Sequence, residues 1–177
     1  VREILQLGNP LLRERAREIA NARAPEVRRA LDDLRDTLHD FQRRKAFGRG
    51  ISAVQIGEPL RLIYIEIGGR SYSLLNPVLV EESREKLLVW DDCFSFPDLL
   101  VRLVRSAWVR VSYLDEEGEA RSVRGEGDFS ELLQHELDHL DGVLAVDRAI
   151  DRNSFATRAE YERRFKPERI VPLVGAL

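Results

Sequence analysis

Gln134-His135-Glu136-Leu137-Asp138-His139 lies in a segment that reads as helix, and its spacing decides what the rest of the chain must build around it. On a helix, positions i and i+4 share one face, so His135 and His139 can point at one metal ion. Glu136, next to the first of them, is placed to take a proton from water activated by that ion. The chain has only 3 histidines, so two of them flanking a Glu at this spacing set the segment apart from an ordinary solvated helix. The chemistry it suits is hydrolysis of a carbonyl compound.

The surrounding composition is ordinary for a soluble protein with a busy surface. A length of 177 residues suits one domain spanning 1–177 with a real core. Apolar residues make up 44% and charged residues 33%. The net charge of −3 argues against a general nucleic-acid binder, so no DNA partner is expected. No apolar run approaches the roughly 20 residues that span a bilayer, so no membrane partner is expected either. The chain opens Val1-Arg2-Glu3 without the pattern of a secretory leader. It contains no methionine, and removal of an initiator residue is expected. Its one cysteine, Cys93, excludes an internal disulfide and fits a reducing compartment, so a cytoplasmic location is expected.

Outward from the motif, the chain reads as helix, several strands, helix, helix. Val27, Leu31, Leu34, Leu38 and Phe41 mark one face of an amphipathic helix from Pro25 to Lys45, with Gly48 ending it. Strands are expected at 61–67, 71–75, 78–82, 86–90, 100–105, 107–114 and 119–124, the first two joined by a Gly68-Gly69 turn. Asp128 or Ser130 is the expected cap of the motif helix, and Asp141-Gly142 its stop. A last helix is expected at about 153–165, within a C-terminal helix and tail at about 151–177. Runs of strands rather than alternating βαβ units predict an α+β fold with mostly antiparallel pairing around the central HExxH helix.

A catalytic site of this kind takes three protein ligands and leaves a position for water. His39, on the first helix beside Asp40, reads as an exposed residue, and no acidic residue after 142 is singled out. Cys93 is the better candidate, in the turn-rich Asp91-Asp92-Cys93-Phe94-Ser95-Phe96-Pro97, although a lone cysteine is by default a small buried hydrophobe. A thiolate ligand would make the site tolerant of Fe(II), Co(II) or Ni(II). Gly48-Arg49-Gly50-Ile51-Ser52-Ala53 matches a dinucleotide GxGxxA pattern, but it follows a helix rather than a strand. What remains is a loop able to bring backbone close to a ligand, ending in Gln55, whose amide is either structural or a donor to a developing oxyanion.

Taken together, Gly48-x-Gly50-Ile-Ser-Ala53-x-Gln55-Ile56-Gly57, Asp-Asp-Cys93-Phe-Ser95 and Gln134-His135-Glu136-x-x-His139 resemble the three motifs of the peptide deformylase family, in order and spacing. The resemblance runs from Ile4 to about residue 147. It implies a metallohydrolase that removes the formyl group from N-formylmethionyl peptides. It further implies His135, His139 and Cys93 as metal ligands, Glu136 as general base, and Gln55 with the Phe94 backbone N–H as oxyanion donors. Gly48 and Gly50 would line the substrate cleft. The implied cofactor is one divalent metal ion, Fe2+ as the native ion, with Zn2+ or Ni2+ as replacements.

Two places depart from that pattern. The second motif is usually Glu-Gly-Cys-Leu-Ser, whereas here Asp91 and Asp92 precede the cysteine. A glycine at 92 would allow backbone geometry that Asp tolerates less readily. On the motif helix, Glu131 and Asp128 stand one and two turns before His135, where aliphatic residues usually enclose a methionine side chain. Either Glu131 bends out to solvent, or the pocket accepts a polar or cationic substituent. Asp91, Asp92, Asp128, Glu131 and Leu132 are therefore expected to border the substrate with Gly48 and Gly50. The expected partner is an N-formyl peptide or a small N-formyl compound. Arg152, Arg158, Arg163, Arg164, Lys166 and Arg169 make the tail locally basic, which would allow a weak ribosome association. The competing readings are a hydrolase of the same fold acting on a polar or cationic N-formyl substrate, a non-catalytic binding protein of that fold, and a metalloprotease.

Overall fold

The structure, a computed structural model, describes residues 1–174. Residues 175–177, the end of the expected tail, lie outside the described residues. Helix α1 (Pro25–Lys45) forms where the apolar period predicts it, with Pro25 at its start. It ends at Ala46, which takes the left-handed conformation (φ 61°) two residues before Gly48, the expected terminator. Its apolar stripe packs on β2 (Leu62–Ile67), whose successive side chains alternate between the two faces of the sheet. Leu62 and Tyr64 face α1, while Ile63 and Ile65 face the motif helix α2 (Asp128–Leu140).

Two antiparallel sheets hold α2 between them and α1 to one side. The first runs β1 (Gly50–Ser52), β2, β3 (Arg70–Glu82), β6 (Trp108–Leu114), β7 (Ala120–Glu126). The second runs β8 (Phe155–Thr157), β5 (Leu99–Ser106), β4 (Lys86–Asp92), β9 (Ile170–Pro172). Leu133, Leu137 and Leu140 of α2 pack on Ile63, Ile65, Leu74, Val109 and Val111 of the first sheet. Each fully buried leucine or isoleucine there contributes about 1.5–3 kcal/mol. Gln134 turns to the other sheet: its Oε1 accepts from the Ser106 backbone N–H at 3.0 Å and its Nε2 donates to the Ser106 carbonyl at 3.1 Å. The mostly antiparallel α+β architecture is thus present.

Several boundaries differ from expectation. The strands expected at 71–75 and 78–82 are one strand, β3. Asn76 bridges the gap in a left-handed conformation (φ 49°), with its side chain bound to the Ile19 backbone N–H at 2.8 Å and carbonyl at 2.9 Å. The final helix covers only Arg158–Arg164, because the residues before it pair with β5 as β8 and Thr157 caps the helix. Gly127, not Asp128 or Ser130, stands at the cap of α2. Ser130 Oγ instead donates to the Ser106 carbonyl at 2.8 Å, and Asp128 is drawn into ion pairs with Arg49 and Arg169.

Candidate metal centre

His135 and His139 project from one face of α2, and β4 ends at Asp92 so that Cys93 turns toward them. Cys93 Sγ lies 3.2 Å from His139 Nε2, which lies 3.1 Å from His135 Nε2. All three residues are buried. A divalent ion about 2.0–2.1 Å from imidazole nitrogen and about 2.3 Å from thiolate sulfur sets its ligand atoms roughly 3.3–3.6 Å apart at tetrahedral angles. The two closest separations fall a few tenths of an ångström short of this, and all three ligand atoms lie within 4.8 Å of one another. The donor set therefore fits such an ion. His39, by contrast, is apart from the trio: its Nε2 pairs with Glu66 of β2 at 2.7 Å.

The field around the trio favours positive charge. His135 Nδ1 stands 2.8 Å from Asp91 Oδ1, close enough for attraction although its N–H is not aimed along the contact. Burial works against a charged His135, but Asp91 and Cys93 outweigh it and hold the His135 pKa well above its ordinary value. Burial and the neighbouring His135 push the His139 pKa well below the usual range. Burial alone would also raise the Asp91 pKa; His135 and Arg105 overcome it and keep the carboxyl ionised.

Asp91 belongs to a buried chain of charge. Arg105 Nη2 lies 2.9 Å from Asp91 Oδ2, and Arg105 Nη1 lies 2.5 Å from Asp138 Oδ2. Asp138 in turn holds Arg148 at 2.5 Å. Arg105→Leu should leave the buried Asp91 without its guanidinium partner, while Asp138 keeps Arg148, and should cost about 3–5 kcal/mol of stability. Urea unfolding would read this directly, and a midpoint equal to that of the unaltered chain would show that the ion chain contributes nothing. The geometry also corrects one expectation. Asp91 is fully buried behind His135 and does not border the cavity, so it is not placed to touch substrate.

A cavity of about 370 Å³ opens onto Cys93 and His135. Glu136 lies in its wall, and burial raises its pKa to about 7. Its Oε2 has no hydrogen-bond partner among the described residues. A carboxylate so placed can accept a proton near neutral pH and release it again. Gln55 is aimed by its neighbours: its Oε1 accepts from the Ser52 backbone N–H at 3.0 Å and from Ser52 Oγ at 3.2 Å. That leaves its Nε2 facing Cys93 Sγ at 3.5 Å and Ser95 Oγ at 3.3 Å. The Phe94 ring stacks on Phe41 at 3.9 Å, and no backbone acceptor among the described residues takes the Phe94 N–H.

The glycines border the cavity as expected. Gly48 has φ +117°, and a Cβ there would meet the Phe94 ring at 2.4 Å. A Cβ on Gly50 would stand 3.0 Å from Glu136 Oε1 and 3.1 Å from Leu132. Asp92 also borders the cavity, but its backbone is ordinary strand paired with Leu100, so no glycine-like conformation is required. Its charge is met by Arg158 Nη2 at 2.8 Å. Leu132 and Asp128 border the cavity too.

Glu131 does not take the first of the two expected courses. It is 2% exposed rather than in solvent, and it is already paired, with Arg49 Nη2 at 2.7 Å and Arg169 Nη2 at 3.2 Å. Burial and nearby Asp91 still push its pKa up, against the pull of both guanidiniums. Sequence reasoning did not place Arg49 or Arg169 in the cavity. Arg49, between the two cleft glycines, carried a signal; Arg169 carried none, since only the pairing of β4 with β9 brings it there.

The chain is similar to known proteins over most of its length. The family model for polypeptide deformylase matches residues 1–155. The peptide deformylase of Desulfitobacterium hafniense is 38% identical over 149 residues, covering 83% of this chain and 93% of that protein. That of Rhodopseudomonas palustris is 36% identical over 173 residues, covering 94% and 93%. Among solved structures, the peptide deformylase of Thermotoga maritima superposes with a TM-score of 0.79 at 28% identity, covering 85% of this chain and 99% of that one. The Legionella pneumophila peptide deformylase gives 0.78 at 32% identity, covering 95% of each.

Proposed function

Given that this chain belongs to the polypeptide deformylase family, we propose that Cys93, His135 and His139 hold its metal ion and that Glu136, Gln55 and Phe94 carry its chemistry. The chain is a hydrolase that removes the formyl group from N-formyl peptides. A single divalent metal ion goes with that activity. The observation that carries the residue assignment is the meeting of three ligand atoms at 3.1 and 3.2 Å beside an unpartnered carboxylate and an aimed amide.

When bound, the ion supplies Lewis-acid polarisation of water and of the formyl oxygen. The protein does the rest. Glu136 accepts the proton of the attacking water. The Gln55 Nε2–H and the Phe94 backbone N–H donate to the oxyanion that forms as the formyl carbon becomes tetrahedral. Glu136 then delivers its proton to the amine nitrogen as the C–N bond breaks, and formate leaves. Asp91 holds the His135 ring from behind, the usual way of fixing a ligand imidazole. The mixed thiolate and imidazole set suits iron(II), with zinc or nickel as substitutes.

Among the described residues no helix is long and apolar enough to cross a membrane. The buried free thiol supports work in a reducing compartment, in this reading the cytoplasm. Ribosome contact through the tail is at best weak. Arg163 and Arg164 pair with Glu160, and Arg158 and Arg169 are turned inward onto Asp92 and Glu131.

The test is formate release from formyl-Met-Ala-Ser by protein loaded with iron(II) under anaerobic conditions. Turnover at about 1–10³ s⁻¹ is expected, lost on chelation and restored by metal. Absence of formate with iron, nickel and zinc alike would overturn the assignment.

A further inference from the structure

The cavity that meets Cys93 and His135 is also walled by Arg49, Asp128, Glu131 and Arg169, with a Glu131 carboxylate oxygen within 4.8 Å of a His135 ring nitrogen. These four close a ring. Arg49 and Arg169 reach the same oxygen, Glu131 Oε2, at 2.7 and 3.2 Å. Asp128 takes Arg49 Nη1 at 3.3 Å and pairs with Arg169 as well. Two formal positive charges thus balance two negative ones. Backbone contacts set the ring in place: the Arg49 carbonyl accepts from the Glu66 N–H at 2.7 Å, and the Arg169 carbonyl from the Trp90 N–H at 2.8 Å. The two acids come from the first turn of α2.

Stability does not account for such a ring. Desolvating the buried Glu131 largely offsets the attraction of its partners, and the other three members are partly exposed, where ion pairs contribute little. What the ring supplies is polar atoms facing the cavity. A guanidinium carries five N–H groups and a carboxylate about four lone-pair sites, so each member keeps capacity beyond its partners in the ring.

With the formyl group at Glu136 and Gln55, the ring that walls the same cavity is left to meet the side chain of the first residue. An apolar side chain would strip water from the ion pairs and return no hydrogen bond. A charged one would meet like and opposite charges together. A neutral side chain that both donates and accepts can answer a guanidinium and a carboxylate at once. We propose that the Arg49–Glu131–Arg169–Asp128 ring is a specificity determinant that extends the accepted substrates to N-formyl peptides whose first residue carries a neutral hydrogen-bonding side chain, glutamine being the representative. Glutamine and methionine have the same reach, so they differ in chemistry alone. The inference rests on the N-formyl peptide reading above.

The experiment compares kcat/KM for formyl-Gln-Ala-Ser and formyl-Met-Ala-Ser. It uses the unaltered holoenzyme, the double variant Glu131→Leu with Arg49→Ile, and Glu131→Gln. The double variant removes both partners of one pair and leaves Arg169 on Asp128. In the unaltered enzyme the glutaminyl peptide should run within about tenfold of the methionyl one, less than the penalty a purely apolar pocket imposes on an amide. The double variant should move the ratio toward methionine by about 10–200-fold, and Glu131→Gln should move it the same way by less. A ratio is insensitive to the fraction of folded enzyme. A glutaminyl peptide slower by more than that tenfold margin, or a ratio unmoved in both variants, overturns the inference and leaves the hydrolase assignment standing. Formate from neither peptide overturns both.

Discussion

Glu136→Gln should lower kcat by about 10²–10⁴-fold, the usual contribution of a positioned general base, with metal content and unfolding midpoint unchanged. The amide is isosteric with the carboxyl and cannot accept a proton from water. Nothing in the fold leans on the charge. Glu136 is 2% exposed, burial raises its pKa to about 7, and its Oε2 has no partner among the described residues. A buried carboxyl left without a partner is a structural liability, which is what a group kept for chemistry looks like. The measurement is single-turnover formate release with metal quantified on the same sample. Activity above one-tenth of the unaltered enzyme would remove Glu136 from the role of base.

Cys93→Ala should reduce bound metal from one ion per chain to near zero after dialysis, with activity lost in proportion. Two imidazoles at i and i+4 would remain, a weaker pair without the anionic sulfur. The substitution leaves a small cavity beside Phe96 and Leu144, costing about 1–2 kcal/mol on the scale of lost core groups. Metal analysis separates these effects, because a folded variant that still binds one ion per chain would exclude Cys93 as a ligand. Cys93→Asp, which restores an anionic donor, should recover part of the metal content.

Much of the fold was legible along the chain. Val27, Leu31, Leu34, Leu38 and Phe41 repeat at the helical period, and α1 runs from Pro25 to Lys45 as that period requires. The long strands alternate clearly enough to be found. The three-residue strands β1, β8 and β9 were not, because they are too short to show a period and exist only by pairing with a neighbour. Asn76-Pro77 read as a break between strands, yet the Asn76 side chain spans it by binding Ile19.

The sequence by itself determined the reactive end of the site. An i, i+4 pair of histidines with Glu between them is local information, and a helix converts that spacing into one face without further help. The resemblance of the cysteine and glutamine segments to the family's motifs then pointed to the remaining proposed donors. Only the tertiary structure decided the substrate end. Arg49 and Arg169 meet Glu131 across separations of 82 and 38 residues, and charge pairing over such distances leaves no pattern in the chain. The adjacent Asp91 and Asp92 show the same limit at its smallest scale. Neighbours on a strand must face opposite ways, but which one turns to Arg105 and His135 and which to the cavity and Arg158 is settled by what packs on each side of β4.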